Sequence, residues 1–250
     1  MLDHLTPTYH CVLINKLCSP EKKGMIMNPV TPIIAVLAIA GIIIWIAIMT
    51  GRKRTAAWEG VAQRLGATFT PKGSSVFATF PFQLFNAGSN RKMKNHLQWE
   101  SEGVTTHLGD YQYTIHSYTG RNRTSKTFRQ TVCILEKEGL DLPRTYLRRQ
   151  MALLDWVGNK FGAQDINFEE DTEFSKAFVL KGDEVRTPQI VGPELRQHLL
   201  QSRKAFKTIE MNGNALMMNF GKRRKPEEYA DLVALAMPVY YMADNKGSAW

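Results

Sequence analysis

Asn95-His-Leu-Gln-Trp-Glu-Ser-Glu-Gly-Val-Thr-Thr-His-Leu-Gly-Asp-Tyr-Gln-Tyr-Thr-Ile-His116 is the stretch that decides the fold. Two extended runs, residues 95–100 and 104–116, flank Ser101-Glu-Gly103. A short Gly-containing break between such runs predicts a β-hairpin, because glycine reaches the positive φ that tight strand-joining turns require. Tyr111, Tyr113 and Ile115 alternate with polar neighbours and therefore share one strand face. His107 and His116 are an odd number of residues apart and fall on opposite faces. Both read as exposed strand histidines, and Asp110 beside either is a candidate general-base pair.

Working outward, Tyr118-Thr-Gly-Arg-Asn-Arg-Thr-Ser-Lys126 reads as a polar loop leading to a strand from Phe128 to Glu136. This completes an antiparallel meander. Cys133, inside Thr131-Val-Cys-Ile-Leu135, reads as a small buried side chain. Upstream, Ala67-Thr-Phe-Thr70 predicts a strand ended by a turn at Pro71-Lys-Gly73. Phe77, Phe80, Phe82, Leu84 and Phe85 form an aromatic stretch that Pro81 turns into a strand edge or bend. Gly88-Ser-Asn-Arg-Lys92 reads as a loop. Before these strands, Trp58, Val61, Ala62 and Leu65 recur at the spacing of one helical face, with Gly66 as the cap.

The second half mixes element types. Leu147, Met151, Leu154 and the run from Trp156 to Phe161 predict a helix ending at Gly162. Residues 165–168 and 177–181 read as short extended pieces. Pro193 suits a first helical turn, with Leu195, His198, Leu199 and Ser202 following at helical spacing. Asn212-Gly-Asn214 between two apolar runs predicts a second hairpin. Pro226 opens a last helix carrying Tyr229, Leu232, Val233 and Ala236 on one face, with Pro238 as a kink. Strands and helices are partly segregated, which predicts an α+β domain of antiparallel strands with several helices.

The chain also holds a run of another kind. Ile33-Ile-Ala-Val-Leu-Ala-Ile-Ala-Gly-Ile-Ile-Ile-Trp-Ile-Ala-Ile-Met49 is almost wholly apolar, and no Asp, Glu, Lys or Arg occurs from Gly24 to Gly51. A bilayer core of roughly 30 Å needs about 20 such residues in a helix. The run exceeds the apolar core of a cleaved signal peptide, and Gly51-Arg-Lys-Arg54 follows it at once, so an uncleaved single-pass anchor is expected. Arg52, Lys53 and Arg54 on one side nearly balance Lys16, Lys22 and Lys23 on the other. A start at Met25 or Met27 removes the second set and places the main domain in the cytoplasm. The expected organisation is a tail over 1–28, a transmembrane helix over 29–50, an α+β domain over 51–243 that divides, in an alternative reading, near 145–165, and a tail over 244–250.

The formal charge is +9, of which +8 lies beyond residue 50. Such a domain is drawn to anionic lipid, and a partner protein in the membrane is the other expected contact. The candidate contacts are Arg52, Lys53, Arg54, Arg121, Arg123, Lys126 and Arg129, with Lys222-Arg-Arg-Lys225 as a further basic turn. Nucleic acid ranks lower, since basic and aromatic residues form no recognisable module. Asp165, Glu169 and Asp171, within an acidic stretch reaching Glu173, are candidate divalent-metal ligands and the basis of an alternative, a metal-dependent hydrolase. The other reading of that stretch is a solvated loop with capping by Asp and Ser. No His-Glu-x-x-His, P-loop, Gly-x-Ser-x-Gly or Gly-x-Gly-x-x-Gly occurs, so no cofactor is expected and a non-enzymatic binding module leads. Three cysteines fit no disulfide framework, and His10-Cys11 with Cys18 matches no zinc spacing.

Several ordered elements resemble a family of uncharacterised bacterial membrane-anchored proteins with one N-terminal transmembrane helix. They are Phe82-Gln-Leu-Phe85, residues 95–100, Gly109-Asp-Tyr-Gln-Tyr-Thr114, Arg129-Gln-Thr-Val132, Leu140-Asp-Leu-Pro143, Phe161-Gly-Ala-Gln-Asp-Ile-Asn-Phe168 and Glu173-Phe-Ser-Lys176. The chain departs from the family pattern at Gly109, where a Phe is usual, and at Arg148-Arg-Gln150, where Arg-Pro-Glu is usual. The resemblance implies an inner-membrane location and carries no activity and no catalytic residues.

Overall fold

The computed structural model describes residues 30–120, 122–150 and 165–247, with side chains for all of these except 30–32 and 245–247. Arg121 and the predicted helix from 151 to 162 lie outside the described residues, as does the tail with His10, Cys11 and Cys18. The chain divides into two units, Met1–Met49 and Thr50–Trp250.

In the first unit the described residues belong to helix α1, Val30–Leu65. Among the described residues this is the one helix long and apolar enough to cross a membrane, and none of its apolar window is buried inside the protein. Its large apolar side chains from Ile33 to Ile48 are 49–66% exposed. A core helix of a soluble domain hides at least one face, whereas a helix apolar all round suits lipid.

The second unit is built on one antiparallel sheet of eight strands in the order β1-β2-β3-β4-β8-β7-β5-β6. The strands are β1 Thr68–Ser74, β2 Ser89–Ser101, β3 Val104–Thr119, β4 Asn122–Glu136, β5 Leu142–Arg149, β6 Phe178–Gly182, β7 Thr208–Gly213 and β8 Ala215–Asn219. The helices are α2 Gln83–Asn86, α3 Thr172–Ala177, α4 Arg186–Ile190, α5 Pro193–Ser202 and α6 Tyr229–Gly247. The α+β arrangement expected from the sequence is the one found.

Both faces of the sheet are covered. Leu97, Leu108, Cys133, Leu135, Leu216 and Met218 point to one face, where they meet Trp58, Val61 and Ala62 of α1 and the apolar sides of α3 to α6. Tyr111, Tyr113, Val132, Ile134 and Met217 point to the other, under Phe80, Phe82, Leu84 and Phe85. Cys133 is buried as expected, and burial pushes its thiol up to about 12. The strands between two cores are apolar at consecutive positions, which explains the unbroken run from Thr131 to Leu135.

The helix around Trp58, its end at Leu65 and Gly66 at φ +62° match the sequence reading. So do the two hairpin turns. Glu102 and Gly103 have φ of 54° and 74°, the two positive values of a type I′ turn between Ser101 and Val104. Asn212 pairs with Ala215 around Gly213, at φ 58°. Pro193 opens α5 as expected.

Other expectations are corrected. The turn at Pro71–Gly73 is absent, because β1 absorbs these residues in an irregularity between Lys72 and Ser74 and pairs on to Met93. The aromatic stretch is a 3-10 turn, Val76–Thr79, followed by α2, and supplies a lid of rings for the sheet. Residues 89–92, 118–119 and 122–126 belong to strands, not loops. Leu147 is a buried strand residue of β5. Residues 165–168 form no strand, although Ile166 N–H donates to the Leu180 carbonyl at 2.8 Å.

Candidate functional site

The predicted basic contacts separate into different environments. Arg52 and Lys53 are exposed. Arg54 points instead to the sheet, where its Nε and Nη2 donate to Asp110 Oδ2 and Oδ1 at 2.7 and 2.6 Å. Asp110 also accepts from Asn95 Nδ2 at 2.9 Å and Thr131 Oγ1 at 3.1 Å. Arg54 Nη2 reaches the Arg224 carbonyl at 2.7 Å, and Arg224 N–H donates to Thr131 Oγ1 at 2.9 Å. The Asp110 side chain is 2% exposed and that of Arg54 18%. This two-pronged pair latches the end of α1 that carries Trp58 to strands β2, β3 and β4.

Asp110 is therefore no general base for a histidine. It shares the α1 side of the sheet with Leu108, whereas His107 faces Phe80, whose ring meets it edge-on at 5.5 Å. His107 is also buried, not exposed. It stacks on His96 with ring centroids 5.3 Å apart, and His96 Nε2 lies 3.1 Å from His107 Nδ1. Ser74 Oγ is 3.0 Å from His96 Nδ1. His107 Nε2 comes within 3.5 Å of Glu136 Oε2, outside hydrogen-bond geometry. A Cβ on Gly109 would stand 3.3 Å from His96 Cα, so glycine there lets β2 bring His96 close. The order hydroxyl, imidazole, imidazole, carboxylate is that of a nucleophile-activating relay. Burial holds His96 down to about 4, helped by His107, and holds His107 down to about 4. Imidazoles so weakly basic make poor general bases at neutral pH.

The acidic stretch forms ion pairs. Asp171 caps α3 by accepting from Phe174 N–H at 3.0 Å and accepts from Arg196 Nε at 2.8 Å. Glu170 accepts from Arg196 Nη2 at 3.2 Å, and the Arg196 guanidinium lies 4.1 Å from the Phe168 ring centroid. Asp165 pairs with Lys181 at 3.2 Å, and Glu169 is exposed. Asp165, Glu169 and Asp171 do not converge, and no group of three potential ligands does so among the described residues. Arg196, buried and central to this knot, carries no local sequence signal that would have singled it out.

Two further features have functional chemistry. Glu210 is buried and accepts from the backbone N–H groups of Gln83 and Leu84 at 2.6 and 3.1 Å. Burial raises its pKa to about 7 against the pull of those two donors and of Arg144. The second is the β3–β4 ribbon. Arg123 and Lys126 are exposed on it, and Arg129 Nε donates to Gln112 Oε1 at 3.1 Å. His116 bridges the ribbon, with Ser89 Oγ 2.9 Å from its Nε2 and Ser125 Oγ 2.7 Å from its Nδ1. A surface hollow of about 320 Å³ between the end of α1 and Thr68, Glu100 and Thr105 has Glu100 as its only ionisable lining residue.

No family model matches the chain, and no curated protein matches it. A solved structure with a similar arrangement is the crystal structure of the mycobacterial trehalose monomycolate transport factor A, TtfA, at 8% identity and a TM-score of 0.48 over 78% of this chain and 93% of that one. A likeness at that level says nothing of what this chain does.

Proposed function

We infer that the chain is a single-pass membrane protein whose α+β domain serves as a non-catalytic binding module at the bilayer, its partner an anionic lipid surface or a membrane protein. The carrying observation is α1, with a window of mean hydropathy 2.8 of which none is buried. The basic balance beyond residue 50 supports the choice of partner. The ion pairs made by Asp165, Glu170 and Asp171 support binding over metal-dependent hydrolysis. The resemblance to bacterial membrane-anchored proteins supports an inner-membrane location. Exposed Arg52 and Lys53 support a cytoplasmic domain, while Arg54 is engaged by Asp110.

Alkaline extraction of membranes from cells expressing the full chain tests the anchor. The protein is expected to stay in the pellet, and release into the supernatant would remove the single-pass reading. Reporter fusions at Trp250 test the side: cytoplasmic fluorescence is expected, and phosphatase activity there would reverse the orientation.

A further inference from the structure

The β3–β4 pair is longer than the sheet that supports it. On one flank, the pairing of β2 with β3 begins at Ser89 opposite Thr114. On the other, β8 pairs with β4 only from Val132. Residues from Ile115 to Lys126 therefore bond across the ribbon to one another, from Ile115 opposite Lys126 to Thr119 opposite Asn122. Residues 117–120 and 122–126 are all exposed. A two-stranded ribbon with no core of its own is only marginally stable in water. It adds little to the packing of the domain, so its length calls for another explanation.

Its chemistry supplies one. No Asp or Glu occurs from Tyr111 to Leu135, while Arg121, Arg123, Lys126 and Arg129 do. Tyr118, near the tip, is 70% exposed, and the Arg123 guanidinium lies 5.7 Å from its ring centroid. At the base, Lys126 and Lys207 both approach the Phe128 ring, at 5.2 and 5.8 Å. These two ammoniums repel each other, and burial together with Lys126 lowers the pKa of Lys207. Cations set against an exposed Tyr118 ring and a half-buried Phe128 ring, in a stretch of sequence without carboxylates, match the headgroup layer of a bilayer, where amphipathic rings and basic side chains both settle.

We propose that the free end of the β3–β4 ribbon, carrying Tyr118, Arg123 and Lys126, is the element by which the domain rests on anionic phospholipid headgroups. The proposal rests on the membrane-anchored reading and assigns its contact surface. A basic ribbon also fits a nucleic-acid groove. The apolar helix in the same chain favours the bilayer.

The test uses the full chain in nanodiscs of phosphatidylcholine alone or mixed with phosphatidylglycerol, with amide hydrogen exchange followed across the ribbon. Anionic discs are expected to slow exchange in residues 115–126 about tenfold, from roughly fivefold per described cation less the loss to counter-ions. Molar salt is expected to abolish the difference, as is the double variant R123E/K126E. Unchanged exchange in residues 95–108 shows that the variant is folded, and the salt series on the parent chain needs no variant. Equal exchange in both kinds of disc would overturn the proposal while leaving the anchor intact. Failure of the chain to enter discs of either kind would instead overturn the anchored reading beneath it. Slowing by duplex DNA on neutral discs, without slowing by anionic lipid, would assign the ribbon to nucleic acid and also overturn the proposal.

Discussion

Replacing Asp110 by alanine tests the latch between α1 and the sheet. The substitution removes both carboxylate acceptors of Arg54 and one acceptor each of Asn95 and Thr131. Breaking a buried pair from one side costs about 3–5 kcal/mol, because the remaining charge stays without its partner. Here Arg54 keeps the Arg224 carbonyl and 18% side-chain exposure, so the lower end applies, about 3 kcal/mol. For a domain of this size that lowers the melting temperature by about 6–12 °C. Melting of the full chain in detergent, followed by near-ultraviolet circular dichroism, reads the change. In the double variant R54M/D110A the stranded charge is gone, and at least half of the loss is expected to return. A D110A protein melting with the parent, or a double variant melting below D110A, would refute this account of the latch.

Four further outcomes follow from groups elsewhere in the domain. The histidine pair has folded values near 4 against an ordinary 6.5, so the unfolded chain takes up protons first. Its contribution is therefore present above pH 6.5 and lost as pH falls toward 4, and H107F should flatten that limb of a melting-temperature profile. Glu210 has the opposite sign: with its value raised from 4.5 to about 7, its contribution is full below 4.5 and lost as pH rises through 7, and E210Q should remove that slope. R196A should destabilise by about 2–4 kcal/mol, because it leaves Asp171 unpaired and empties the space over Phe168. In the parent chain, millimolar Mg²⁺, Ca²⁺ or Mn²⁺ should leave the melting temperature unmoved, and a clear rise would restore the metal reading of Asp165, Glu169 and Asp171.

Local chemistry was legible where one residue had one job. Gly103 and Asn212-Gly-Asn214 announced their turns, because positive φ favours glycine or asparagine, even though Glu102 shares the first turn at φ 54°. Trp58, Val61, Ala62 and Leu65 announced a helix, because one of its faces is buried and the other is not. The end of the ribbon, residues 117–120 and 122–126, was opaque for the converse reason. Water bathes both of its faces, so no alternation of apolar residues marks it as strand. The lid from Val76 to Asn86 misled because its aromatic residues are strand formers by propensity, while Pro81 and the demand for rings over Tyr111 impose turns. Site geometry was hidden by distance along the chain. Arg54 and Asp110 are 56 positions apart, and Arg196 lies 25 from Asp171. The His96–His107 stack depends on a register shift between Lys94 and Leu97 that no local pattern encodes.

The strand order has a consequence for synthesis. Strands β1 to β4 follow one another as neighbouring hairpins, whereas the other flank of β4 is taken by β8, the last strand made. Once residue 136 has emerged, Val132-Cys-Ile-Leu135 presents unpaired amides and apolar side chains on both faces until residue 219 arrives. At ribosomal speeds of about 5–20 residues per second, that interval is roughly 4–17 s. An apolar edge open for so long is where neighbouring nascent chains would join. Substitutions that delay β8, even ones harmless to the finished domain, are thus expected to reduce yield through aggregation and leave the surviving molecules with an unchanged melting temperature.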